Sequence, residues 1–516
     1  MNGVNPHRER RGTSPRRLVL CFDGTGNQFQ ANESDTNVVK IFDMLDRFDK
    51  NQFHYYQRQL TNSNLIKLAS LEYKANAYLK PHTAGIGTFD TDGSGSGKGV
   101  LRRMKDGIDK IIDQAIGTTF EYHVCAGYKF LMRFYSPGDA IYIFGFSRGA
   151  YTARFLAEMI HTAGLLSQGN EDMVRFAFSS FSEVQRKRGK QKKTPKEHEQ
   201  VKYLESFKRT FCRPNVQVHF LGLFDCVNSV GQFDVPFRRG SYRYIATPPA
   251  KHIRHAVSIH ERRLKFKPAL FLFEKDDPDS DIKEVWFAGN HCDVGGGFHY
   301  EGPSQHLLSD IPLAWMVDQA TALDDHPAGK IAFDKEEIKR AGHLKAGHER
   351  VQFPSQTSNG HSPHEGCLRE RQHHDFLKFN RGASWFATSM WWIIEILPLF
   401  TRLELENGEW IPRYWPPNFG ALRDIPSDAR IHTSVQQMHK AGILTHMPKI
   451  GGDGPSKLRD PLFTFRALGR IILPWKWKFI RKSSRPHTNG TNGVERASPT
   501  RVEQEQNGSQ IWSWGY

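Results

Sequence analysis

Ser147, Asp225 and His291 are the residues of this chain whose types and order could perform nucleophilic acyl transfer. A serine hydroxyl is a poor nucleophile at neutral pH. It needs a histidine to take its proton, a carboxylate to fix that histidine's tautomer, and N–H donors for the oxyanion that forms. Ser147 sits in Gly145-Phe146-Ser147-Arg148-Gly149, Asp225 follows the apolar run Val216–Phe224, and His291 follows Glu284–Ala288. The order Ser, Asp, His is one of those that serve this chemistry. The backbone N–H of Arg148, with one from Gly24 or Thr25, is expected to supply the oxyanion donors. A rival assignment keeps Ser147 and uses Asp293 as acid and His432 as base, again in the required order. Each member also has a plainer reading: Asp225 as a helix or turn cap, His291 as a structural hydrogen-bonding histidine, and Asp293-Val294-Gly295-Gly296-Gly297 as a turn that needs its glycines.

These residues need elements to aim them. Ala140–Phe144 reads as a buried strand, and Ala150–Ile160 as a helix with Tyr151, Phe155, Met159 and Ile160 at helical spacing. The serine therefore stands at a strand-to-helix corner, the setting of a nucleophile elbow. Leu18–Phe22 is a continuous apolar run suited to a buried parallel strand, ending in Asp23-Gly24-Thr25-Gly26-Asn27. A mixed helical stretch and a glycine-rich loop over Gly85–Gly99 are expected next, then a long helical region. Val216–Phe224, Leu270–Phe273 and Glu284–Ala288 read as further strands and Arg254–Ile259 as a helix. The alternation is α/β, and ligands of open parallel sheets bind beyond the carboxyl ends of the strands, where Asp23, Ser147, Asp225, His291 and Asp293 would meet. The expected organisation is a disordered 1–16, a catalytic domain over 17–324 with a charged insertion at 168–213, a cap or accessory region over 325–484, and a disordered tail over 485–516.

Composition narrows the function classes. The chain has 516 residues, 38% hydrophobic and 12% aromatic, enough for a large core. Its six cysteines show no CxxC pair, so neither a disulfide framework nor a cysteine zinc site is indicated and a reducing compartment is expected. The polar, basic N-terminus lacks the pattern of a secretory signal, and no segment reaches about 18 uncharged apolar residues, which points to a cytoplasmic protein at most peripheral to a membrane. The net charge of +16 is concentrated in Arg8–Arg17, Arg186–Lys196 and Lys476–Arg485 without a nucleic-acid module pattern, so no specific nucleic acid is expected. Phe22-Asp23-Gly24-Thr25 lacks the first aspartate of an aspartate-nucleophile phosphatase, Cys21 standing in its place. Gly95-Ser96-Gly97-Lys98 lacks the features of a P-loop, and no His-Glu-x-x-His occurs. No cofactor and no metal are expected.

Four blocks in order resemble a known family. They are Cys21–Asn27, Pro137-Gly138-Asp139 leading into Gly145–Tyr151, Gly222–Asp225, and Trp286–Gly297. Together, over about 16–330, they resemble the uncharacterised α/β-hydrolase family that includes the type VI secretion phospholipase effectors. The resemblance implies an α/β-hydrolase-like, mostly parallel sheet with helices on both faces, followed here by a C-terminal cap. It implies phospholipase or related carboxylester hydrolysis through a Ser-Asp-His set at Ser147, Asp225 and His291. Those effectors usually carry Thr after the triad aspartate, where this chain has Cys226. His432 resembles a further block of the family.

The expected function is thus a serine carboxylester hydrolase acting on a lipid or other ester through an acyl-enzyme. Two segments bear on membrane contact. Ser384–Phe400 holds three tryptophans and large aliphatics and reads as a core helix or, alternatively, as a lid or interfacial helix. Phe463–Lys482 interleaves aromatics and bases as segments on anionic membranes do. The alternative function is a non-catalytic hydrolase-fold protein that binds membranes or acts as a scaffold.

Overall fold

In the computed structural model the residues described are 14–25, 29–59, 119–187, 195–227, 249–271, 281–299, 306–341, 373–379, 383–396, 402–406, 409–413, 417–440, 442, 444 and 450. The loop at Gly85–Gly99, the segment Phe463–Lys482 and both expected disordered ends, apart from 14–16, lie outside them. The strands in chain order are β1 (Arg17–Thr25), β2 (Gln52–Gln59), β3 (Ala140–Phe146), β4 (Leu165–Leu166), β5 (Cys212–Arg213), β6 (Val218–Phe224), β7 (Ala250–Ser258), β8 (Asp281–Phe287), β9 (Arg402–Glu406), β10 (Glu409–Arg413) and β11 (Arg430–Ile431). Seven of them form one parallel sheet in the order β11-β8-β7-β6-β3-β1-β2.

Continuous apolar runs suit strands covered on both faces, because successive side chains point to opposite sides. Leu18, Leu20 and Phe22 of β1 pack with Ile141, Ile143 and Leu221 under the helices at 119–134, Arg148–Ala163, Val174–Lys187 and Pro195–Phe211. Val19 and Cys21 face the other way, with Tyr142, Phe144 and Phe220, under the helices Asn37–Met44 and Asp310–Thr321. Both faces carry helices, and the fold is α/β-hydrolase-like. A third apolar cluster closes the β8 edge, where Trp286 meets Ile431, Val435 and Met438.

The direction of the chain reverses at β1. It runs outward to β2, then returns to β3 on the other side and proceeds through β6, β7 and β8. Such a switch point opens a crevice at the carboxyl ends of the two strands that flank it, here β1 and β3, and Ser147 follows β3.

Several elements differ from the sequence reading. Gln52–Gln59, expected within a helical stretch, is the edge strand β2: Phe53 and Tyr55 pack on one core and Tyr56 on the other, a period of two. Arg254–Ile259, expected as a helix, belongs to β7. Its polar residues are buried and partnered, His255 with Glu284 at 2.7 Å and Arg254 with Asp281 at 2.6 Å, which hides the strand from a pattern based on apolar residues alone. Leu270 and Phe271 are in no strand. The charged stretch 168–213 contributes two helices, and their Phe178, Phe181, Leu204 and Phe207 pack in the main core. Residues 417–440, expected within a cap, add β11 to the central sheet.

Candidate active site

Ser147 stands at the corner between β3 and the helix Arg148–Ala163 with φ 58° and ψ −124°, a strained conformation for a residue with a side chain. Its neighbours explain how the corner closes. A Cβ on Gly149 would come within 2.3 Å of the carbonyl oxygens of Phe22 and Asp23, and one on Gly145 within 2.6 Å of the Ala150 backbone. Only glycine lets the start of the helix rest against the end of β1. The Ser147 N–H donates to the Phe224 carbonyl at 3.0 Å, which ties the corner to the end of β6.

The hydroxyl of Ser147 donates to His291 Nε2 at 2.7 Å, and His291 Nδ1 donates to Asp225 Oδ2 at 2.5 Å. Asp225 leaves β6 with φ 39°, and His291 is the first residue of the short helix His291–Gly295, after β8. That helix is started by a capping box, in which the Asn290 side chain accepts from the N–H groups of Cys292 and Asp293, and Asp293 accepts from the Asn290 N–H. All three residues are buried. The His291 ring also packs between Phe146 and Phe266, each centroid 4.7 Å away.

A residue the sequence reading missed completes the group. Arg423 donates to both oxygens of Asp225, at 2.7 and 3.0 Å, to the Ser258 hydroxyl and carbonyl, and to the Phe266 carbonyl. The Ser258 N–H donates to Asp225 Oδ1 at 2.9 Å. Burial by itself would raise the pKa of Asp225, but the Arg423 guanidinium and the His291 hydrogen bond outweigh it and hold the carboxyl well below its usual range. Burial lowers the pKa of His291, and the hydrogen bond it donates to Asp225 only partly offsets this. The imidazole is therefore neutral at pH 7, with a lone pair available on Nε2. Nothing near Arg423 in sequence marks it; the signal lies in the fold, which carries residues 417–440 back to β7 and β8.

The rival pair is committed elsewhere. His432 Nδ1 bonds the Ser434 hydroxyl at 2.8 Å, its ring stacks on Phe287 at 4.6 Å, and burial lowers its pKa to about 4. Asp293 pairs with His374 Nδ1 at 2.6 Å and accepts from the His374 and Asn290 N–H groups. Asp293 and His432 share no hydrogen bond. Of the expected oxyanion donors, Arg148 opens its helix, where backbone N–H groups have no intrahelical partner. The Gly24 N–H is instead taken by Asp23 Oδ1 at 2.7 Å, because the buried Asp23 carboxylate gathers donors from Gly24, Thr36 and Tyr56. Thr25 is the last residue of β1, past an irregularity in its pairing with β2.

Residues 16–319 match the family model described as type VI secretion system, phospholipase effector Tle1-like, catalytic domain. The chain belongs to this Tle1-like family. Its members' description places it, at the coarse level, among phospholipase-type hydrolases. The chain is also similar to the uncharacterised protein YEL023C of Saccharomyces cerevisiae, at 25% identity over 84% of this chain and 80% of that one. Among solved structures it resembles an uncharacterised protein from Pseudomonas aeruginosa, with 16% identity, a TM-score of 0.31, and coverage of 69% of this chain and 53% of that one. It also resembles the Tle1 effector bound to the VgrG spike of the type VI secretion system, with 18% identity, a TM-score of 0.26, and coverage of 59% and 57%. The chain thus spans little more than half the length of these two solved proteins. Arg423 lies beyond the matched residues, although it bonds a residue inside them.

Proposed function

We propose that this Tle1-like chain is a serine carboxylester hydrolase that cleaves a phospholipid or related ester through an acyl-enzyme. The observation that carries this reading is the unbroken hydrogen-bonded run from Ser147 Oγ through His291 to Asp225. Ser147 Oγ attacks the ester carbonyl carbon while His291 Nε2 takes its proton. Asp225 holds the Nδ1 proton and stabilises the imidazolium that results. The Arg148 N–H, and with it that of Thr25, receives the negative charge on the former carbonyl oxygen. His291 then protonates the departing alcohol, and water, activated in the same way, releases the acyl group and restores Ser147. Arg423 keeps Asp225 ionised and in place.

The test is covalent labelling by a fluorophosphonate followed by peptide mapping. The expected adduct is on Ser147, lost in His291→Ala and retained in His432→Ala. An unlabelled Ser147 in a folded protein would favour the non-catalytic scaffold, and loss of labelling only in His432→Ala would move the base to His432.

Membrane contact is favoured by the helix Trp385–Ile396. It buries Thr388 and Glu395 but leaves Trp385 68%, Phe386 69%, Met390 42% and Ile393 48% exposed. Its inner side reaches toward the site, Trp391 lying 5.6 Å from the Phe266 ring that covers His291. No helix among the described residues is long and apolar enough to cross a membrane. A helix with such an exposed aromatic and aliphatic face lies in a bilayer interface and presents the site to lipid. A cytoplasmic protein peripheral to an intracellular membrane suits this reading and the five free cysteines among the described residues.

A further inference from the structure

The opposite end of the sheet carries a second cluster of groups that the ester chemistry does not use. His219 is the second residue of β6 and His252 the third of β7, adjacent strands in which His252 pairs with Phe220. Both lie near the amino ends of their strands. Six residues separate His219 from Asp225, about 20 Å of extended chain. Asp325 reaches the same place from the segment after the helix Asp310–Thr321. One ligand atom from each of the three residues lies within 4.8 Å of the others.

We propose that His219, His252 and Asp325 form a binding site for a divalent transition metal of the zinc class, which clips β6 and β7 to the segment that follows the helix Asp310–Thr321. Three observations carry it. His219 is 3% exposed, and neither of its ring nitrogens has a hydrogen-bond partner among the described residues, while Nε2 lies 3.7 Å from Asp325 Oδ1. A buried polar atom left in this way is destabilising, and coordination removes that cost. His252 bonds Asp281 through Nδ1 at 2.6 Å and meets Asp325 Oδ2 through Nε2 at 2.9 Å. A neutral imidazole donates through only one nitrogen, so in that form it cannot satisfy both carboxylates, and at one contact lone pairs face lone pairs. A cation between them turns that repulsion into two bonds. Asp281 is itself held by Arg254 at 2.6 Å, so His252 has the carboxylate support that orients metal-binding histidines.

Two imidazoles and a carboxylate are the donor set of zinc-class ions, with water completing a tetrahedron. Ligand atoms about 2.0–2.1 Å from the metal stand about 3.4 Å apart, so binding opens the 2.9 Å contact of His252 with Asp325 slightly and draws in the wider separations, which are within 4.8 Å. One neighbour opposes it. Lys251 Nζ lies 2.6 Å from Asp325 Oδ2 and must swing away, which its 45% exposed side chain can do.

The site is tested on the full chain, stripped with chelator and titrated with Zn²⁺ against a chromophoric competitor. One Zn²⁺ per chain is expected, with affinity weakened about 100-fold or more in His219→Ala and in Asp325→Asn, since even supporting residues of metal sites are worth about 10–100-fold. Asp325→Asn alters a half-exposed loop residue and guards against misfolding of the histidine variant. Lys251→Ala removes the competing cation and is expected to tighten binding. Absence of stoichiometric binding, equal affinity in wild type and Asp325→Asn, weaker binding in Lys251→Ala, or thiolate charge-transfer bands when Co²⁺ replaces Zn²⁺ would each overturn the proposal.

Discussion

At the scale of single residues, Arg423 makes the sharpest prediction. A carboxylate as buried as Asp225 tolerates ionisation only because Arg423, Ser258 and His291 all donate to it. Arg423→Gln is expected to destabilise the fold by about 3–5 kcal/mol, the usual cost of stripping one partner from a buried ion pair. It also removes a positive charge beside the Asp225–His291 pair, so the imidazolium becomes easier to form and the acid limb of kcat/KM moves to higher pH. A loss of stability with an unmoved pH profile would reduce Arg423 to a structural role. In the unaltered protein burial lowers the pKa of His291, so His291 stays neutral to a lower pH than a solvent-exposed histidine does. The acid limb is therefore expected below about pH 6.5, read from kcat/KM across pH 4–8. Ser147→Ala is expected to remove on the order of 10⁴–10⁶ of the rate.

At the scale of elements, the elbow is set by contact between the helix Arg148–Ala163 and the end of β1. Gly149→Ala drives a methyl group into the carbonyls of Phe22 and Asp23, and the chain must part there. The expected outcome is a loss of at least about 1–3 kcal/mol in denaturant stability together with loss of fluorophosphonate labelling, because the strain falls on Ser147 itself. The exposed face of Trp385–Ile396 is tested by liposome flotation. Trp385→Ser with Phe386→Ser is expected to reduce recovery with anionic vesicles while labelling by a small soluble probe persists; unchanged flotation removes the interfacial role. This helix was open to a core or a surface reading from its residues, since apolar content says nothing about which partner covers a face. The structure divides it, with Glu395 held inward by the Leu264 N–H and Asn418 and Trp391 against Phe266, while Trp385 and Phe386 face out.

At the scale of the whole molecule, buried histidines couple stability to pH. Burial lowers the pKa of His123 to about 4, of His260 to about 3 and of His432 to about 4. Above the unfolded value near 6.5 both states are neutral and these groups cost nothing; as pH falls below it the unfolded chain binds protons that the native one refuses. Denaturation midpoints are thus expected to fall steadily from pH 7 toward pH 4, and a flat profile would contradict these shifts. The sequence by itself determined the α/β character, the strand–Ser147–helix corner, and Asp225 and His291 as strand-end residues, because those signals are local: apolar runs, glycine spacing and chain order. It misread β2 and β7, whose polar residues are partnered from distant segments. Only the tertiary structure decided that His291 rather than His432 meets Ser147, that Asp293 is bound to His374, that the Gly24 N–H is taken by Asp23, that Arg423 grips Asp225, and that His219 and His252 stand beside Asp325. Each of these depends on which strand lies next to which, and strand order follows from long-range packing that no window of sequence contains.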